Sequence, residues 1–281
     1  MASWSATLIL PDRGYHCCMG SRPNAIVLTA PGINCDLELV EAFELAGAEA
    51  RRIHLNELDA DPSVIDSCDL LGLPGGFSYG DAVAAGRILA VMLRETIIDR
   101  LHAAVARGVP VIAPCNGFQI AVQAGLLPGP QSGSPPRTEA ALLANRGGHF
   151  VDRWVRVEYP ESVCVWTQGL KSEGEEAMLP IAHGEGRFHA SPETIDRLAA
   201  NGCIAVRYAG DDDPNGSTDC IAGICDETGL VLGLMPHPER YVSWNQHPYW
   251  TRLDDRAHEP PGLQMFKSAV MHVMQRVPAA S

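Results

Sequence analysis

Hydrophobic positions in the first half of the chain alternate between short continuous runs and longer stretches with helical spacing. Four apolar runs are predicted as buried strands: residues 24–30, 50–55, 68–73 and 109–113. Helical spacing follows the first run up to Gly47, extends from Asp81 to about Arg107, and returns after Cys115. Strands that alternate with helices in this way predict βαβ units and a parallel sheet.

The second half of the chain has a different pattern, in which short apolar runs are separated by turns. Six runs are predicted as strands: residues 154–158, 162–167, 180–183, 203–209, 220–226 and 230–235. One helix is expected from the cap serine Ser191 to Asn201, and another over residues 263–277. We therefore predict a single α/β domain over residues 24–281, with a mixed central sheet flanked by helices and antiparallel strands added late.

Two segments fall outside this pattern. Residues 1–23 lack a basic region followed by an apolar core, so they indicate a poorly ordered extension rather than a signal peptide. Residues 129–138 (GPQSGSPPRT) are too rich in Pro, Gly and Ser to order themselves, and are predicted to form a loop.

Composition narrows the possible partners. The 281 residues include 21 Lys and Arg against 34 Asp and Glu, a formal charge of −13, and no basic patch. This charge disfavours nucleic acid and anionic membranes as partners, and no apolar run approaches the roughly 20 residues that cross a bilayer. Nine irregularly spaced cysteines without an export signal or a CxxC pair favour reduced cytoplasmic thiols and no bound metal.

Cys115 stands where a strand-like run ends and a helix-like run begins, in VPVIAPCNGFQIAVQAG. Small residues on either side, Ala113 and Gly117, are typical of a strand–turn–helix nucleophile elbow. There the helix N-terminus favours a thiolate, and the backbone N–H of Asn116 is free to hold an oxyanion. We predict that Cys115 is a nucleophile.

A cysteine nucleophile needs a base, and GLVLGLMPHPERY offers His237 at the end of a strand-like run. Pro238 favours an extended conformation at His237, so that the side chains of His237 and Glu239 point to the same side. Glu239 can then orient the imidazole, which predicts a Cys115–His237–Glu239 triad.

The glycines of LPGGFSYGD (residues 73–81) end the third predicted strand. Consecutive glycines present backbone N–H groups at close range, so Gly76 is a candidate second oxyanion donor. The spacing is not that of a dinucleotide-binding loop, and no GxxxxGK[ST] phosphate loop occurs.

These motifs resemble those of the triad (class I) glutamine amidotransferases, and most closely the glutaminase subunits of phosphoribosylformylglycinamidine synthases. The general family is indicated by PCNGFQ and HPE, and the narrower one by PGGFSYGD, CNGFQ with AGLLPG, DRWV, PIAHGEGRF and LMPHPER, with APGINCD also fitting. The similarity extends from about Ala25 to Val277 and keeps the order of the motifs.

The resemblance implies a flavodoxin-like domain that hydrolyses L-glutamine to glutamate and ammonia through a γ-glutamyl thioester. By this resemblance the triad is Cys115, His237 and Glu239, and the oxyanion donors are Gly76 and Asn116. Substrate-binding positions would be Gln119, Phe77, Arg153 and His183, although subunit contact and loop structure stay open for Arg153, His183 and Glu185. Ammonia would pass to a synthetase subunit that uses ATP and Mg²⁺, with a small bridging subunit, and this chain would need no cofactor.

Two departures from the family pattern and two rival functions qualify this interpretation. Pro114 removes a backbone donor beside the nucleophile, and residues 242–262 are longer than the family leads us to expect. A stand-alone cysteine hydrolase of the same fold, similar to DJ-1 or γ-glutamyl hydrolase, would not account for PGGFSYGD together with HGEGRF. A non-catalytic binding subunit would be expected to lack a triad residue.

Overall fold

The computed structural model describes residues 21–129, 139–171, 177–210, 212–253 and 258–276. Its strands are β1 (Asn24–Thr29), β2 (Glu49–His54), β3 (Leu70–Gly72), β4 (Val111–Pro114), β5 (Ala140–Leu143), β6 (Val151–Glu158), β7 (Met178–His183), β8 (Arg187–Ala190), β9 (Ile204–Tyr208), β10 (Ile221–Cys225) and β11 (Val231–Leu234). Its α-helices are α1 (Asp36–Leu45), α2 (Leu55–Ala60), α3 (Arg87–Thr96), α4 (Ile98–Ala106), α5 (Asn116–Ala124), α6 (Pro192–Ala200) and α7 (Pro261–Arg276).

Nine of the described strands form one sheet in the order β2-β1-β3-β4-β11-β10-β9-β6-β7. The pairs from β2 to β11 are parallel, and those from β11 to β7 are antiparallel. The predicted mixed sheet with late antiparallel strands is therefore confirmed. Strands β5 and β8 pair separately as a two-stranded sheet, which the sequence pattern did not predict.

The core lies against both faces of the parallel strands. Every residue of β4 is buried, since this strand lies between β3 and β11. On one face the ring of Phe43 in α1 packs edge-on against Phe266 in α7, with ring centroids 5.2 Å apart, and against Trp166. The apolar faces of α1 and α7 thus cover the sheet.

The predicted strand at residues 162–167 was wrong. These residues form turns, and the buried Trp166 donates its indole N–H to the carbonyl of Leu230 at 2.9 Å. The backbone N–H groups of Val163 and Val165 donate to the glycines at 202 and 229, which lie in loops rather than in a neighbouring strand. The apolar run reflects burial beneath helices and not strand pairing.

The prediction of one helix from Asp81 to Arg107 was wrong in two respects: the helical region begins later, and it is divided into two helices. Tyr79, Gly80, Asp81 and Gly86 all have positive φ, and the α-helix starts only at Arg87. Ile97 then leaves the helical region, with φ −134° and ψ 2°, and separates α3 from α4. Apolar spacing predicted the buried face but not these breaks.

The helices of the second half agree with their sequence signals. The hydroxyl of Ser191 accepts a hydrogen bond from the N–H of Thr194 at 3.3 Å and caps α6. Helix α7 begins at Pro261, near the predicted position. Among the described residues, no helix combines the length and apolar character that crossing a bilayer requires.

Several sequence predictions concern residues that the structure does not describe. Of the predicted extension, residues 1–20 lie outside the described residues, as do residues 130–138 of the predicted loop. The long segment 242–262 is described except for residues 254–257. In it the buried His247 packs against Tyr241 and Trp154, with ring centroids 5.4 and 5.2 Å away.

Candidate active site

Cys115 lies in a strained turn between β4 and α5. Its backbone has φ 50° and ψ −108°, a combination that residues other than glycine rarely adopt. The N–H of Cys115 donates to the carbonyl of Leu234 in β11 at 2.7 Å, which anchors the turn to the sheet. The residue is 5% exposed, and its sulfur lies 3.6 Å from the carbonyl oxygen of Ala182. The strand–turn–helix elbow is therefore present.

The proline before Cys115 fits this elbow. Pro114 ends β4 and is paired in parallel with Leu234, and Ala113 before it is in the extended conformation that a following proline favours. The lost backbone donor does not interrupt the anchor, which comes from Cys115. Gly117 completes the turn, because a Cβ atom there would lie 1.9 Å from the carbonyl oxygen of Leu73.

We expect Gly117→Ala to lower the free energy of unfolding by about 1–3 kcal/mol, because the added methyl meets a backbone atom that cannot rotate away. Chemical denaturation monitored by fluorescence measures this change. Gly184→Ala is the matched control, since its nearest new contact is Phe150 Cδ2 at an ordinary 3.8 Å. Equal stability of the two variants would show that the turn relaxes without cost.

His237 and Glu239 form a buried pair just beyond the end of β11. The distance from Nδ1 of His237 to Oε1 of Glu239 is 2.6 Å, and the two side chains are 2% and 0% exposed. Burial opposes protonation of His237, but the Glu239 carboxylate and then the Cys115 thiol outweigh it and raise the pKa of His237 well above 6.5. The pair therefore favours an imidazolium beside the thiol.

Nε2 of His237 is the ring nitrogen that stays available for proton transfer. It is buried and has no hydrogen-bond partner of normal geometry within the part of the chain that the structure describes. Glu239 occupies the opposite ring nitrogen, and Cys115 contributes to the electrostatics of the ring. Looser thiol–imidazole geometry is common in enzymes without substrate.

A second thiol, Cys35, lies against the same imidazole, and sequence reasoning did not identify it. Its sulfur accepts a hydrogen bond from the guanidinium of Arg240 at 3.1 Å and interacts with His237. Burial raises the pKa of the Cys35 thiol, although His237 and Arg240 favour its thiolate. Gly75 separates the two thiols, since a Cβ atom there would lie 3.2 Å from Cys35 Sγ and 3.4 Å from Cys115 Cβ.

The two predicted oxyanion donors lie beside Cys115. Asn116 is the first residue of α5, so its backbone N–H has no acceptor within the helix. Gly76, at φ 143°, forms a bridge with Ile33 whose hydrogen bonds come from the flanking residues, and its own N–H stays outside that pairing. A Cβ atom at Gly76 would lie 2.8 Å from the backbone of Ile33. Both positions are suited to hold a developing negative charge.

Cys115 opens onto a cavity of about 170 Å³. The residues that line it are Gly76, Phe77, Asp81, Ala85, Cys115, Gln119, Phe150, Ala182, His183, Gly184 and Glu185. Phe77 and Phe150 are 46% and 48% exposed, with ring centroids 6.2 Å apart. The cavity thus combines a thiol, an aromatic pair and several polar groups, as expected for a small-molecule site.

Three of the four predicted substrate-binding residues line this cavity, and Arg153 does not. Gln119 donates from Nε2 to the carbonyl of Glu185 at 2.6 Å and accepts from Asn116 at 2.9 Å, so both ends of its amide are anchored. Phe77 lies beside Phe150. Arg153 in β6 forms an ion pair with Asp212 at 2.6 Å and is absent from the cavity lining.

His183 is a buried cavity residue whose imidazole is neutral. Burial and the neighbouring His237 lower the pKa of His183 to about 4. Its Nδ1 lies 3.1 Å from Oδ1 of Asn145, and this amide oxygen accepts a hydrogen bond from that nitrogen. Nε2 of His183 is therefore an acceptor, and it has no partner in the described part of the chain.

Asp81 was also missed as a cavity residue, although it closes the quoted PGGFSYGD motif. The role of Glu185 was left open between substrate contact, subunit contact and loop structure, and this residue lines the cavity. The turn at residues 79–86 brings Asp81 and Glu185 to the same cavity. The positive φ values in this turn cannot be recognised from the spacing of hydrophobic residues.

The fold and this site define the class of the protein. Residues 22–273 match the family described as the CobB/CobQ-like glutamine amidotransferase domain, and the chain belongs to that family. A solved glutamine amidotransferase from Thermotoga maritima shares the fold, with a TM-score of 0.53 at 13% identity over 92% of this chain and 100% of that one.

Within this family, relatives with high identity include PurQ subunits of phosphoribosylformylglycinamidine synthase. The protein from Dehalococcoides mccartyi is 40% identical over 91% of this chain and 99% of its own length. That from Treponema denticola is 38% identical over 90% of this chain and 100% of its own. A chain in the structure of PurLQS from Thermotoga maritima has a TM-score of 0.67 at 33% identity, and covers 89% of this chain and 99% of that one.

Proposed function

We propose that this chain is the glutaminase subunit of phosphoribosylformylglycinamidine synthase in purine biosynthesis. The observation that carries the proposal is Cys115 in a strained elbow beside the buried His237–Glu239 pair, in a chain whose relatives over nearly its full length are PurQ subunits. The substrate is L-glutamine, and the products are L-glutamate and ammonia.

The positions of the side chains support the following reaction. The Cys115 thiolate attacks the side-chain amide carbon of glutamine, and the oxyanion accepts hydrogen bonds from the N–H groups of Gly76 and Asn116. The His237 imidazolium gives a proton to the leaving nitrogen, so that ammonia departs and a γ-glutamyl thioester remains. His237 then removes a proton from water, which attacks the thioester and releases glutamate and the thiol. Glu239 holds the imidazole in orientation through Nδ1.

Ammonia is then passed to a synthetase subunit, which converts formylglycinamide ribonucleotide to its amidine with ATP and Mg²⁺. The PurLQS structure of the Thermotoga maritima relative supports a synthetase partner and a small bridging subunit. In this proposal the chain itself uses no cofactor. Its seven cysteines among the described residues are free, which favours assembly in the reducing cytoplasm.

Glutamate release should depend on assembly, because a glutaminase that releases ammonia without an acceptor wastes its substrate. We expect the purified chain alone to release glutamate at least about 10-fold more slowly than in complex with the cognate synthetase and bridging subunits. A coupled glutamate assay, with formylglycinamide ribonucleotide and ATP present, measures this.

Two results would contradict the proposal. Rapid hydrolysis of glutamine that the partners do not change would identify a stand-alone hydrolase of the same fold. A complex that makes amidine from ammonium salt, but never from glutamine, would identify a non-catalytic subunit.

A further inference from the structure

Two buried thiols interact with the same imidazole. The sulfur atoms of Cys115 and Cys35 both contribute to the electrostatics of the His237 ring, and the two cysteines are 5% and 1% exposed. They belong to different segments, since Cys115 follows β4 and Cys35 precedes α1. Within the described residues, Nε2 of His237 has no hydrogen-bond partner of normal geometry, so neither sulfur is fixed on this nitrogen. The proposed glutaminase reaction uses only Cys115.

Only a glycine stands between the two thiols. A Cβ atom at Gly75 would lie 3.2 Å from Cys35 Sγ, 3.4 Å from Cys115 Cβ and 2.8 Å from Cε1 of His237. Any side chain at residue 75 would therefore occupy the space that the two cysteines share. The backbone here is fixed, because the N–H of Cys35 donates to the carbonyl of Gly75 at 3.3 Å. The fold thus keeps the two cysteines close to each other.

Cys35 lies in a cationic environment. The guanidinium of Arg240 donates to its sulfur at 3.1 Å, and the His237 ring lies beside it. Burial raises the pKa of the Cys35 thiol, whereas His237 and Arg240 favour the thiolate, the form that attacks another sulfur atom. The same two cations disfavour a metal ion here, although Cys35, His237 and Glu239 have ligand atoms within 4.8 Å of one another.

The two thiols differ in their access to small molecules. Cys115 lines the cavity of about 170 Å³, and Cys35 does not. A small oxidant that enters the cavity therefore meets Cys115 first. An accessible thiolate with a second thiol next to it is the arrangement found at cysteines that are oxidised reversibly.

We propose that Cys115 and Cys35 form a reversible disulfide when a peroxide enters the cavity. This inference goes beyond the proposed glutaminase function, because it assigns Cys35 the role of a resolving cysteine. The disulfide would stop glutamine hydrolysis while oxidant is present. It would also protect Cys115 from irreversible oxidation to sulfinic acid.

The chemistry has two steps, written here for hydrogen peroxide. The Cys115 thiolate attacks one peroxide oxygen, so that an S–O bond forms and the O–O bond breaks, and the leaving hydroxide takes a proton from the His237 imidazolium. His237 then accepts the proton of the Cys35 thiol. The Cys35 thiolate attacks the sulfur of the Cys115 sulfenic acid, the S–S bond forms, and the departing hydroxide takes that proton. Two thiols and one peroxide thus become one disulfide and two waters, with two electrons passing from sulfur to oxygen.

The test treats the complex with its synthetase and bridging subunits with excess hydrogen peroxide and then with dithiothreitol. Wild type should lose glutamine-dependent synthesis at least about 10-fold and return to within about 2-fold of its untreated rate, because a disulfide is reducible. Cys35→Ser should lose activity to the same extent but recover less than about one fifth, since an unresolved sulfenic acid is oxidised further. Each protein is compared with its own untreated rate, and synthesis from ammonium salt reports damage to the synthetase.

Peptide mapping by mass spectrometry under non-reducing conditions is the second readout. Oxidised wild type should yield a peptide that joins Cys35 to Cys115. The matched control is Cys220→Ser, which removes a partly exposed thiol that does not line the cavity and should behave as wild type in both readouts.

Two results would overturn the inference. One is oxidised, inactive wild type without the joined peptide, and the other is recovery of Cys35→Ser equal to that of wild type. The peptide map needs neither a variant nor glutamine turnover. A chain that never hydrolyses glutamine would therefore contradict the proposed function and still show whether the disulfide forms, so the two failures are distinguishable.

Discussion

Replacing Cys115 with alanine is expected to lower glutamine-dependent amidine synthesis by at least about 10⁴-fold, because no other group can form the thioester. The second thiol, Cys35, does not substitute for it, since burial raises the pKa of Cys35 and its sulfur is held by Arg240. The measurement is glutamate and amidine formation by the assembled complex, with wild type and variant at equal concentration. Synthesis from ammonium salt should stay at the wild-type rate.

The ammonium-dependent rate makes this experiment decisive, because it reports assembly and the synthetase separately from the glutaminase. Cys220→Ser serves as the matched control. That thiol is partly exposed, and its charged neighbours are Asp213, Asp219, Arg207 and Glu158, none of which lines the cavity. If Cys115→Ala kept glutamine-dependent synthesis, the thioester route would be excluded.

Glu239→Gln is expected to lower kcat/KM for glutamine about 10²- to 10³-fold. The amide keeps a similar shape beside Nδ1 of His237 but lacks the charge that stabilises the imidazolium. The pKa of His237 should therefore fall, and with it the pH at which activity declines on the alkaline side. A pH profile of kcat/KM measures both effects.

The same substitution alters the pH dependence of stability. Because the pKa of His237 is raised in the folded protein, protonation stabilises the fold. This contribution is fully present below about pH 6.5, the unfolded value, and is lost as the pH rises through the folded pKa. Denaturation at several pH values should show this loss in wild type and a smaller one in Glu239→Gln.

Glu38→Gln is the matched control for this series. Glu38 contacts the outer side of Arg240 at 3.4 Å, is 38% exposed, and does not contact His237. It should retain both the wild-type activity and the wild-type pH profile. An unchanged alkaline limb in Glu239→Gln would show that the carboxylate does not set the protonation of the imidazole.

The sequence predicted the parallel half of the sheet well, because its strands and helices carry local periodicity. The run before Cys115 and the run before His237 became β4 and β11, which are hydrogen-bonded neighbours, and this adjacency brings their ends together. The resemblance to a family added the order of the motifs, which periodicity alone does not contain.

What the sequence did not predict depends on contacts between distant segments. The guanidinium of Arg240 contacts the sulfur of Cys35, which lies 205 residues earlier in the sequence, and no rule of sequence spacing relates the two residues. Strands β5 and β8 have four residues each, which is too short for a period of two to stand out. The apolar run around Trp166 was wrongly predicted as a strand because it is as apolar as a buried strand. Its residues are buried beneath helices and do not pair with a strand.

The placement of Cys115 in the sheet has a consequence for how the proposed active site responds to heat and denaturant. Cys115 follows β4, a strand with neighbours on both sides and every residue buried, whereas Phe77 and Phe150 on the outer wall are half exposed. Local fluctuations that admit glutamine can occur in the part of the cavity wall that contains Phe77 and Phe150. The backbone amide hydrogens of the elbow, in contrast, exchange with solvent only when the sheet itself opens. Under heat or denaturant, loss of the elbow geometry at Cys115 and global unfolding therefore belong to a single cooperative event.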